Sequence, residues 1–191
     1  MLKTVPTIKQ NQDWVKWGLG ACIFLLLVSN GIMFLGNRRL VDTITDIHSQ
    51  IDLPLGAKMP ALHGKTLDNA DVAIGFGDRD KRGTLLLIYS PACPVCEENW
   101  PNWTRLISNK FSSNFRIIAI DLANITRADY IDAHNMRRLM ILRNMDPQTI
   151  LAYRLRMTPD TILLNHSGVV KGSWTGVLST DAVDKILTFA G

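Results

Sequence analysis

The 191-residue chain has only three cysteines and four histidines, and its formal net charge is +4. Three cysteines are too few for the disulfide scaffold of a small secreted protein, so a close pair among them predicts a working site. The weak positive charge, without a long run of Lys and Arg, does not indicate a nucleic-acid partner. Internal repeats and low-complexity tracts are also lacking. The length allows one packed domain of roughly 130–150 residues with a smaller appendage.

One segment near the N-terminus lacks charge altogether. Residues 17–36 are strongly apolar, and twenty helical residues span about 30 Å, the thickness of the hydrocarbon core of a bilayer. Trp14 and Trp17 lie at one edge, where indole rings favour the membrane interface. We predict a transmembrane anchor at 17–36 after a short cytoplasmic N-terminus at 1–16. A buried core helix and a cleaved signal peptide are the alternatives, although no small-x-small cleavage site follows the segment.

The charges that flank the apolar segment predict its orientation. Lys3, Lys9 and Lys16 precede it, and Arg38 and Arg39 follow it. Together with the terminal amine, this balance favours an N-terminus in the cytoplasm. We therefore expect a single-pass protein of the inner (cytoplasmic) membrane, with its main domain on the periplasmic or other extracytoplasmic side. Those surroundings are oxidising, so a pair of cysteines can cycle there between dithiol and disulfide.

Apolar residues recur at helical spacing after the anchor, which predicts an amphipathic helix over 38–52. They are Leu40, Val41, Ile44, Ile47 and Ile51. Pro54 and Gly56 are expected to end this helix, so we assign 37–54 to a stalk between anchor and domain. The helix either lies on its own domain or uses residues 38–52 to form a dimer or bind a partner.

Two of the cysteines stand three apart, in the segment Cys93-Pro94-Val95-Cys96. Such a pair fits on one helical turn, with Cα atoms about 5.5 Å apart, which is within disulfide reach. The pair follows the apolar run 84–89, which predicts a strand buried on both faces. A strand that delivers a C-x-x-C to a helix N-terminus is a redox-site arrangement, and proline suits the first helical turn.

The remaining sequence alternates strand and helix patterns. Residues 55–83 predict loops and short strands, with turns at His63-Gly64 and Asp68-Asn69. Further strands are predicted at 115–121, 161–164 and 169–174, and helices at 94–110, 126–136, 147–156 and 179–189. This order predicts an α/β fold with a mixed central sheet flanked by helices.

The segment from Tyr89 to Cys96, after its apolar strand, resembles the active-site segment of thioredoxin-fold proteins, and residues 153–164 resemble the second half of that fold. The anchor and residues 56–61 narrow the resemblance to membrane-tethered thiol–disulfide oxidoreductases of the TlpA/ResA type. The Cys-Pro-Val-Cys sequence and the stalk also resemble the MauD proteins, which mature methylamine dehydrogenase. The resemblance implies a thioredoxin-like domain over 55–191.

A role for each cysteine follows from the resemblance. Cys93 would be the nucleophile, because a helix N-terminus favours its thiolate, and Cys96 would resolve the mixed disulfide with a protein substrate. The implied redox group is the Cys93–Cys96 disulfide itself, with no separate cofactor and no metal. The implied partners are the membrane, a thiol- or disulfide-containing protein substrate, and a membrane or periplasmic redox partner. The implied role is maturation of a cytochrome, copper or quinoprotein-type enzyme.

Four further residues are predicted to position the substrate or the cysteines. Pro159 matches the cis-proline of the family, and Thr158 before it would pair its backbone with an extended substrate segment. Pro94 and Val95, which separate the two cysteines, would help to position the substrate.

Two positions depart from the thioredoxin pattern. Ala92 stands where a tryptophan often precedes the first cysteine, and Leu87 stands where thioredoxin has a buried acid. That acid assists proton transfer from the second cysteine, so its role is unfilled here or supplied elsewhere. Glu97 and Glu98 are near in sequence, where they either assist this transfer or face water.

Other functions stay open from the residues alone. A copper-handling chaperone with a thioredoxin fold would combine the C-x-x-C with soft or imidazole ligands. A peroxidase would use Cys93 with Ser90, although Leu86 stands at the expected proline position. The candidate copper ligands are His48, His63, His134, His166, Met136, Met140 and Met145. A docking module would meet an acidic partner through Arg137, Arg138, Arg143, Arg154 and Arg156.

Overall fold

The computed structural model describes residues 11–77, 80–108 and 111–190, and their side chains over 16–37, 52–77, 80–107 and 113–189. These residues form two compact units that divide between Ile47 and His48. The first unit contains most of one long helix, and the second contains an α/β domain.

The long helix, α1, runs without interruption over Asn11–Ile51. Its stretch Lys16–Asn37 has a mean hydropathy of 2.1 and is long and apolar enough to cross a membrane. Membrane anchors and signal sequences share this length and composition. The backbone predicted as a stalk helix is helical, but the side chains of 38–51 lie outside the described residues. The predicted amphipathic face and dimer contact therefore lie outside them too.

The strands of the domain, within the described part, are β1 (Leu62–Lys65), β2 (Asp71–Ile74), β3 (Gly83–Tyr89), β4 (Phe115–Asp121), β5 (Met140–Leu142), β6 (Asp160–Asn165) and β7 (Val170–Thr175). β1 and β2 form an antiparallel hairpin. The other five form one mixed sheet in the order β5-β4-β3-β6-β7. β3, β4 and β5 are parallel, whereas β6 is antiparallel to both β3 and β7.

The described helices of the domain are α2 (Pro94–Ser108), α3 (Phe111–Asn114), α4 (Ala128–Ala133), α5 (Pro147–Ala152), α6 (Thr180–Ala190) and a 3₁₀ turn at Met136–Arg138. The mixed sheet flanked by helices agrees with the predicted α/β architecture. Five of the predicted elements, β3, β4, β6, β7 and α6, match their predicted ranges to within one residue at each end.

The central strand β3 is buried along its whole length, because the sheet is covered on both faces. One face, here called the α2 face, packs Leu85, Leu87 and Tyr89 against side chains of α2 and α6. The other, here called the hairpin face, packs Leu86 and Ile88 against residues of the β1–β2 hairpin and the segment before it. Each buried Leu or Ile side chain contributes roughly 1.5–3 kcal/mol, so β3 is a rigid base for the loop that follows it.

The turn predicted at His63-Gly64 is wrong, because both residues pair with β2 inside the hairpin. A Cβ on Gly64 would lie only 2.7 Å from the Sδ atom of Met145. The glycine therefore permits a close approach between chain segments, which has the same sequence signal as a turn. The turn predicted at Asp68-Asn69 is confirmed, since Asn69 has a left-handed φ of 65°.

Two predicted helices are shorter than their patterns suggested, and one strand was missed. The helices predicted at 126–136 and 147–156 end early, near Asn135 and Arg154, whose φ angles of 54° and 51° are left-handed and incompatible with a continuing helix. The edge strand β5 is three residues long, which is too short to show an alternating pattern.

Candidate functional site

The two cysteines lie at the junction of β3 and α2. The backbone N–H of Cys93 donates to the Ser90 carbonyl at 3.0 Å, and that of Cys96 donates to the Cys93 carbonyl at 3.0 Å. Pro94 is the first residue of α2, as its missing N–H predicted. Cys96 is fully buried and Cys93 is partly exposed. One sulfur is thus accessible to a substrate, and the other lies behind it.

The two thiols have opposite pKa shifts. Burial by itself would raise the pKa of Cys93, but hydrogen bonds with Thr158, with the Cys96 thiol and with nearby backbone groups outweigh it, so this pKa is lowered. Burial raises the pKa of Cys96 to about 11. At neutral pH Cys93 is therefore the thiol that ionises first, while Cys96 keeps its proton.

The segment expected to face the cysteines does so. The Thr158–Pro159 peptide is cis, which confirms that prediction, and the Thr158 carbonyl accepts a hydrogen bond from the Sγ of Cys93 at 3.4 Å. The Pro159 carbonyl accepts from the backbone N–H of Gly176 at 2.8 Å, which ties the cis-proline to the end of β7. The structure thus brings the two cysteines together with Thr158 and Pro159.

Three exposed apolar side chains, here called the apolar rim, flank the cysteines and the cis-proline. Val95, Met157 and Val177 are 42%, 49% and 45% exposed. Val95 separates the cysteines, Met157 precedes Thr158, and Val177 follows the glycine that is hydrogen-bonded to the cis-proline. Sequence reasoning selected only Val95, because single apolar residues in loops carry no periodic signal.

The position of the missing acid is filled by apolar packing. Leu87 is buried on the α2 face, and its partner across the sheet is Thr161. The Thr161 hydroxyl accepts a hydrogen bond from the indole N–H of Trp103 at 2.9 Å. Asp160, next to the cis-proline, pairs with Ile88 and therefore lies on the hairpin face. β6 thus offers Cys96 no carboxylate in place of the one that Leu87 replaces.

A polar network lies instead between α2 and the segment that contains α4. The Tyr130 hydroxyl donates to Oε1 of Glu97 at 3.0 Å and accepts from the indole N–H of Trp100 at 2.7 Å. Nε2 of His134 lies 3.3 Å from Oε2 of Glu97, and the His134 ring stacks on Trp100 with centroids 4.3 Å apart. The sequence pointed to Glu97 and, only as a candidate copper ligand, to His134. Tyr130 was missed, because its contact with Glu97 is made across the fold.

Two of the candidate copper ligands lie on opposite sides of the sheet. Met136 packs on the α2 face and Met145 on the hairpin face, so the sheet separates them. The side chain of His48 lies outside the described residues. Among the side chains that the structure describes, no three His, Cys, Asp or Glu residues are close enough together to hold a metal ion.

Three of the five arginines proposed for docking are engaged in different places. Arg143 donates to the Leu67 carbonyl at 2.8 Å, and Arg154 donates to the Asp52 carbonyl at 2.8 Å. Arg137 forms an ion pair with Asp132 at 2.5 Å. These three side chains therefore serve local contacts and do not form one shared surface.

No protein-family model matches the chain. Its sequence is similar to that of the thiol-disulfide oxidoreductase ResA of Halalkalibacterium halodurans, with 23% identity over 117 residues. The match covers 60% of this chain and 66% of ResA, just under two thirds of that relative's length. The predicted resemblance to thiol–disulfide oxidoreductases of this type is confirmed at the level of sequence similarity.

Solved structures of similar shape identify the fold. StoA from Bacillus subtilis has a TM-score of 0.52 and 19% identity, covering 71% of this chain and 100% of StoA. The thioredoxin domain of a thiol-disulfide oxidoreductase from Bacteroides vulgatus has a TM-score of 0.58 and 16% identity, covering 73% of this chain and 99% of that domain. A thioredoxin family thiol:disulfide interchange protein from Chlorobium tepidum has a TM-score of 0.54 and 18% identity, covering 72% and 98%. The chain therefore has a thioredoxin-like fold, as predicted.

Proposed function

We propose that this chain is a thiol–disulfide oxidoreductase that acts on protein substrates through Cys93 and Cys96. The observation that carries the proposal is the difference in exposure and pKa between the two thiols. The partly exposed Cys93 has a lowered pKa and meets the Thr158 carbonyl, whereas the buried Cys96 has a pKa raised to about 11. An accessible thiolate in front of a protonated thiol suits attack by the first and resolution by the second.

The exchange with a substrate disulfide proceeds in two displacements. The Cys93 thiolate attacks one substrate sulfur, a mixed disulfide forms, and the other substrate sulfur leaves as a thiolate. Cys96 then loses its proton and attacks the Sγ of Cys93, which releases the second substrate thiolate. Two electrons pass from the dithiol to the substrate, and the protein is left with the Cys93–Cys96 disulfide. The reverse sequence oxidises a substrate dithiol.

The surroundings of the cysteines suit an extended polypeptide as substrate. The Thr158 backbone lies beside the reactive sulfur, where it can pair with the main chain of an extended segment. The apolar rim exposes Val95, Met157 and Val177 around it, so apolar side chains next to the substrate cysteine would be favoured. Pro94 positions the first helical turn beneath this surface.

The proposed location is the outer side of the cytoplasmic membrane. Residues 1–16 would be cytoplasmic, 17–36 would span the bilayer, 37–54 would form the stalk, and 55–191 would form the exchange domain. The exposed apolar stretch of α1 supports this arrangement. A membrane-impermeant maleimide should label Cys93 in intact spheroplasts. Labelling only after lysis would show that the domain lies on the cytoplasmic side. A shortened mature chain would show that the apolar segment is a cleaved signal peptide.

The proposed physiological role is maturation of a cytochrome, copper or quinoprotein-type enzyme. A Cys96→Ser variant keeps the nucleophile but cannot resolve the mixed disulfide, so it should hold the natural substrate covalently. The Cys93→Ser variant is the matched control and should hold nothing. Mass spectrometry of the trapped partner identifies the substrate class. If Cys96→Ser traps no protein in cells although its Cys93 reacts with maleimide, a dedicated protein substrate is excluded.

Crosslinking through single cysteines placed in 38–52 would test the predicted dimer in the same membranes.

A further inference from the structure

Glu97 has a defined position relative to the nucleophile. Residues four apart on a helix are neighbours on one face, with Cβ atoms about 5–6 Å apart, and Glu97 stands four residues after Cys93 in the first turn of α2. Glu98, the next residue, lies about 100° further around the helix and is exposed. Both side chains are exposed, and Glu97 is distinguished by its contacts with Tyr130 and His134.

The carboxylate of Glu97 is held in place at both oxygens. Tyr130 donates to Oε1 at 3.0 Å, and Nε2 of His134 lies 3.3 Å from Oε2. Tyr130 and His134 are themselves fixed by Trp100, through the indole hydrogen bond and the ring stack. The indole is buried one turn beyond Cys96. The carboxylate of Glu97 is therefore fixed in one position, although its side chain is 49% exposed.

The two groups that hold Glu97 are both uncharged at neutral pH. Burial lowers the pKa of His134 despite the nearby carboxylate, so the imidazole is neutral and does not cancel the charge of Glu97. Burial also raises the pKa of Tyr130, and the charges of Glu97 and of a Cys96 thiolate raise it further. The network is thus within electrostatic reach of the dithiol.

We propose that Glu97, held by Tyr130 and His134, is a positioning residue that lowers the reduction potential of the Cys93–Cys96 pair and so favours the chain as a reductant of substrate disulfides. This inference rests on the proposed function. A fixed negative charge disfavours the Cys93 thiolate, which exists only in the reduced protein. It therefore disfavours the dithiol relative to the disulfide. In this chain the acidic residue lies on a helix, whereas in thioredoxin the buried acid lies on the sheet.

The test is a redox equilibrium of the full-length chain in detergent micelles, in a Cys22→Ser background. Two glutathione thiols reduce the Cys93–Cys96 disulfide to the dithiol and form one glutathione disulfide. At about pH 8, Glu97→Gln should raise the equilibrium constant for this reduction about three- to ten-fold, as expected for removing one unit charge near a partly solvated thiolate. The matched control, Glu98→Gln, should change it less than about two-fold.

A second readout separates a charge effect from a structural one. The pH profile of the alkylation rate of Cys93 gives its acid dissociation constant, which should rise in Glu97→Gln. At pH values well above the Cys93 pKa of both proteins, thermodynamic linkage requires the redox equilibrium constant to rise by the same factor when the charge acts through the thiolate. Equal effects of Glu97→Gln and Glu98→Gln, or a changed potential with an unchanged Cys93 pKa, would overturn the inference.

Tyr130→Phe keeps the proposal testable if Glu97→Gln does not fold. Phenylalanine preserves the ring packing of Tyr130 on Tyr89 and releases one oxygen of Glu97 toward water. A smaller shift in the same direction is expected, and an unchanged equilibrium constant would contradict the inference. Failure of the wild-type chain to form the Cys93–Cys96 disulfide or to exchange with glutathione would instead reject the proposed function itself.

Discussion

The two faces of the sheet carry their polar groups in different places near the cis-proline. On the α2 face, β3 presents Leu87 and β6 presents Thr161, which is hydrogen-bonded to Trp103, and the carboxylate of Glu97 lies on the helix, held by Tyr130. On the hairpin face, a carboxylate is built into the strand itself, because Asp160 is buried at the start of β6.

One step along a strand separates these two arrangements. Successive side chains of β6 point to opposite faces, so Asp160 faces away from Cys96 although it follows the cis-proline directly. Its neighbour Thr161 lies on the α2 face, as Cys96 does, but Thr161 is uncharged. Proximity in sequence to the site is therefore a poor guide to a catalytic role, and the face that a residue occupies decides which chemistry it can influence.

The largest expected effect is on exchange activity, which should differ sharply between a variant on the α2 face and one on the hairpin face. Cys93→Ser should abolish exchange with glutathione above the uncatalysed background, because the nucleophile is lost. Asp160→Asn, on the hairpin face, should retain exchange within about two-fold of the wild type, since its carboxyl lies across the sheet from Cys96. Both rates are measured by following the conversion of dithiol to disulfide with an alkylating probe. A loss of exchange in Asp160→Asn comparable with that in Cys93→Ser would break the distinction between the faces.

The next effect concerns stability as a function of pH. Burial raises the pKa of Asp160 to about 7, with Asp52 adding to the shift, whereas an unfolded chain loses this proton near pH 3.9. The native state therefore holds the extra proton between about pH 4 and 7. The associated stability is complete below the unfolded pKa and is lost as the pH rises through the folded one.

From this shift we expect the wild type to lose about 2–4 kcal/mol of unfolding free energy between about pH 4 and 8. Asp160→Asn should lack most of this slope, because an amide does not titrate. Urea unfolding at a series of pH values measures the difference. A parallel slope in the two proteins would show that Asp160 ionises normally.

A smaller effect is expected from the uncharged polar pair of the α2 face. Thr161→Val keeps the shape of the side chain but leaves the buried indole N–H of Trp103 without its acceptor, at a cost of about 1–3 kcal/mol. The matched variant Trp103→Phe in the Thr161→Val background removes the unpaired donor. If Thr161→Val alone is as stable as the wild type, the indole has found another acceptor.

The smallest effect should come from removing the charge of Asp52, a charge that raises the pKa of Asp160. The Thr175 hydroxyl bonds to Oδ1 of Asp52 at 2.9 Å, and an asparagine at 52 can still accept that hydrogen bond. Asp52→Asn should therefore lower the pKa of Asp160 by less than about one unit, by removing one nearby negative charge. Carbon-13 NMR titration of the Asp160 carboxyl measures the change, and a rise in this pKa would contradict the assignment.

The local patterns were enough to predict the central strand, the helix start at Pro94 and the cis peptide at Pro159, because each has a strong short-range or family signal. The face occupied by Asp160 depends on the register of β6 against β3. The hydrogen bond that fixes Glu97 comes from Tyr130, more than thirty residues away in the sequence. Neither is encoded in a local pattern. The glycine at 64 was misassigned because turns and close packing both favour glycine.

The most direct test of the account is the pH dependence with which each cysteine reacts with iodoacetamide, in the full-length reduced chain with Cys22→Ser. We expect Cys93 to become reactive at a lower pH than an ordinary thiol, whose pKa is about 8.5, while Cys96 stays unreactive until far higher pH. Reaction of both cysteines with one common pKa near that of a free thiol would contradict the proposed division between nucleophile and resolving thiol.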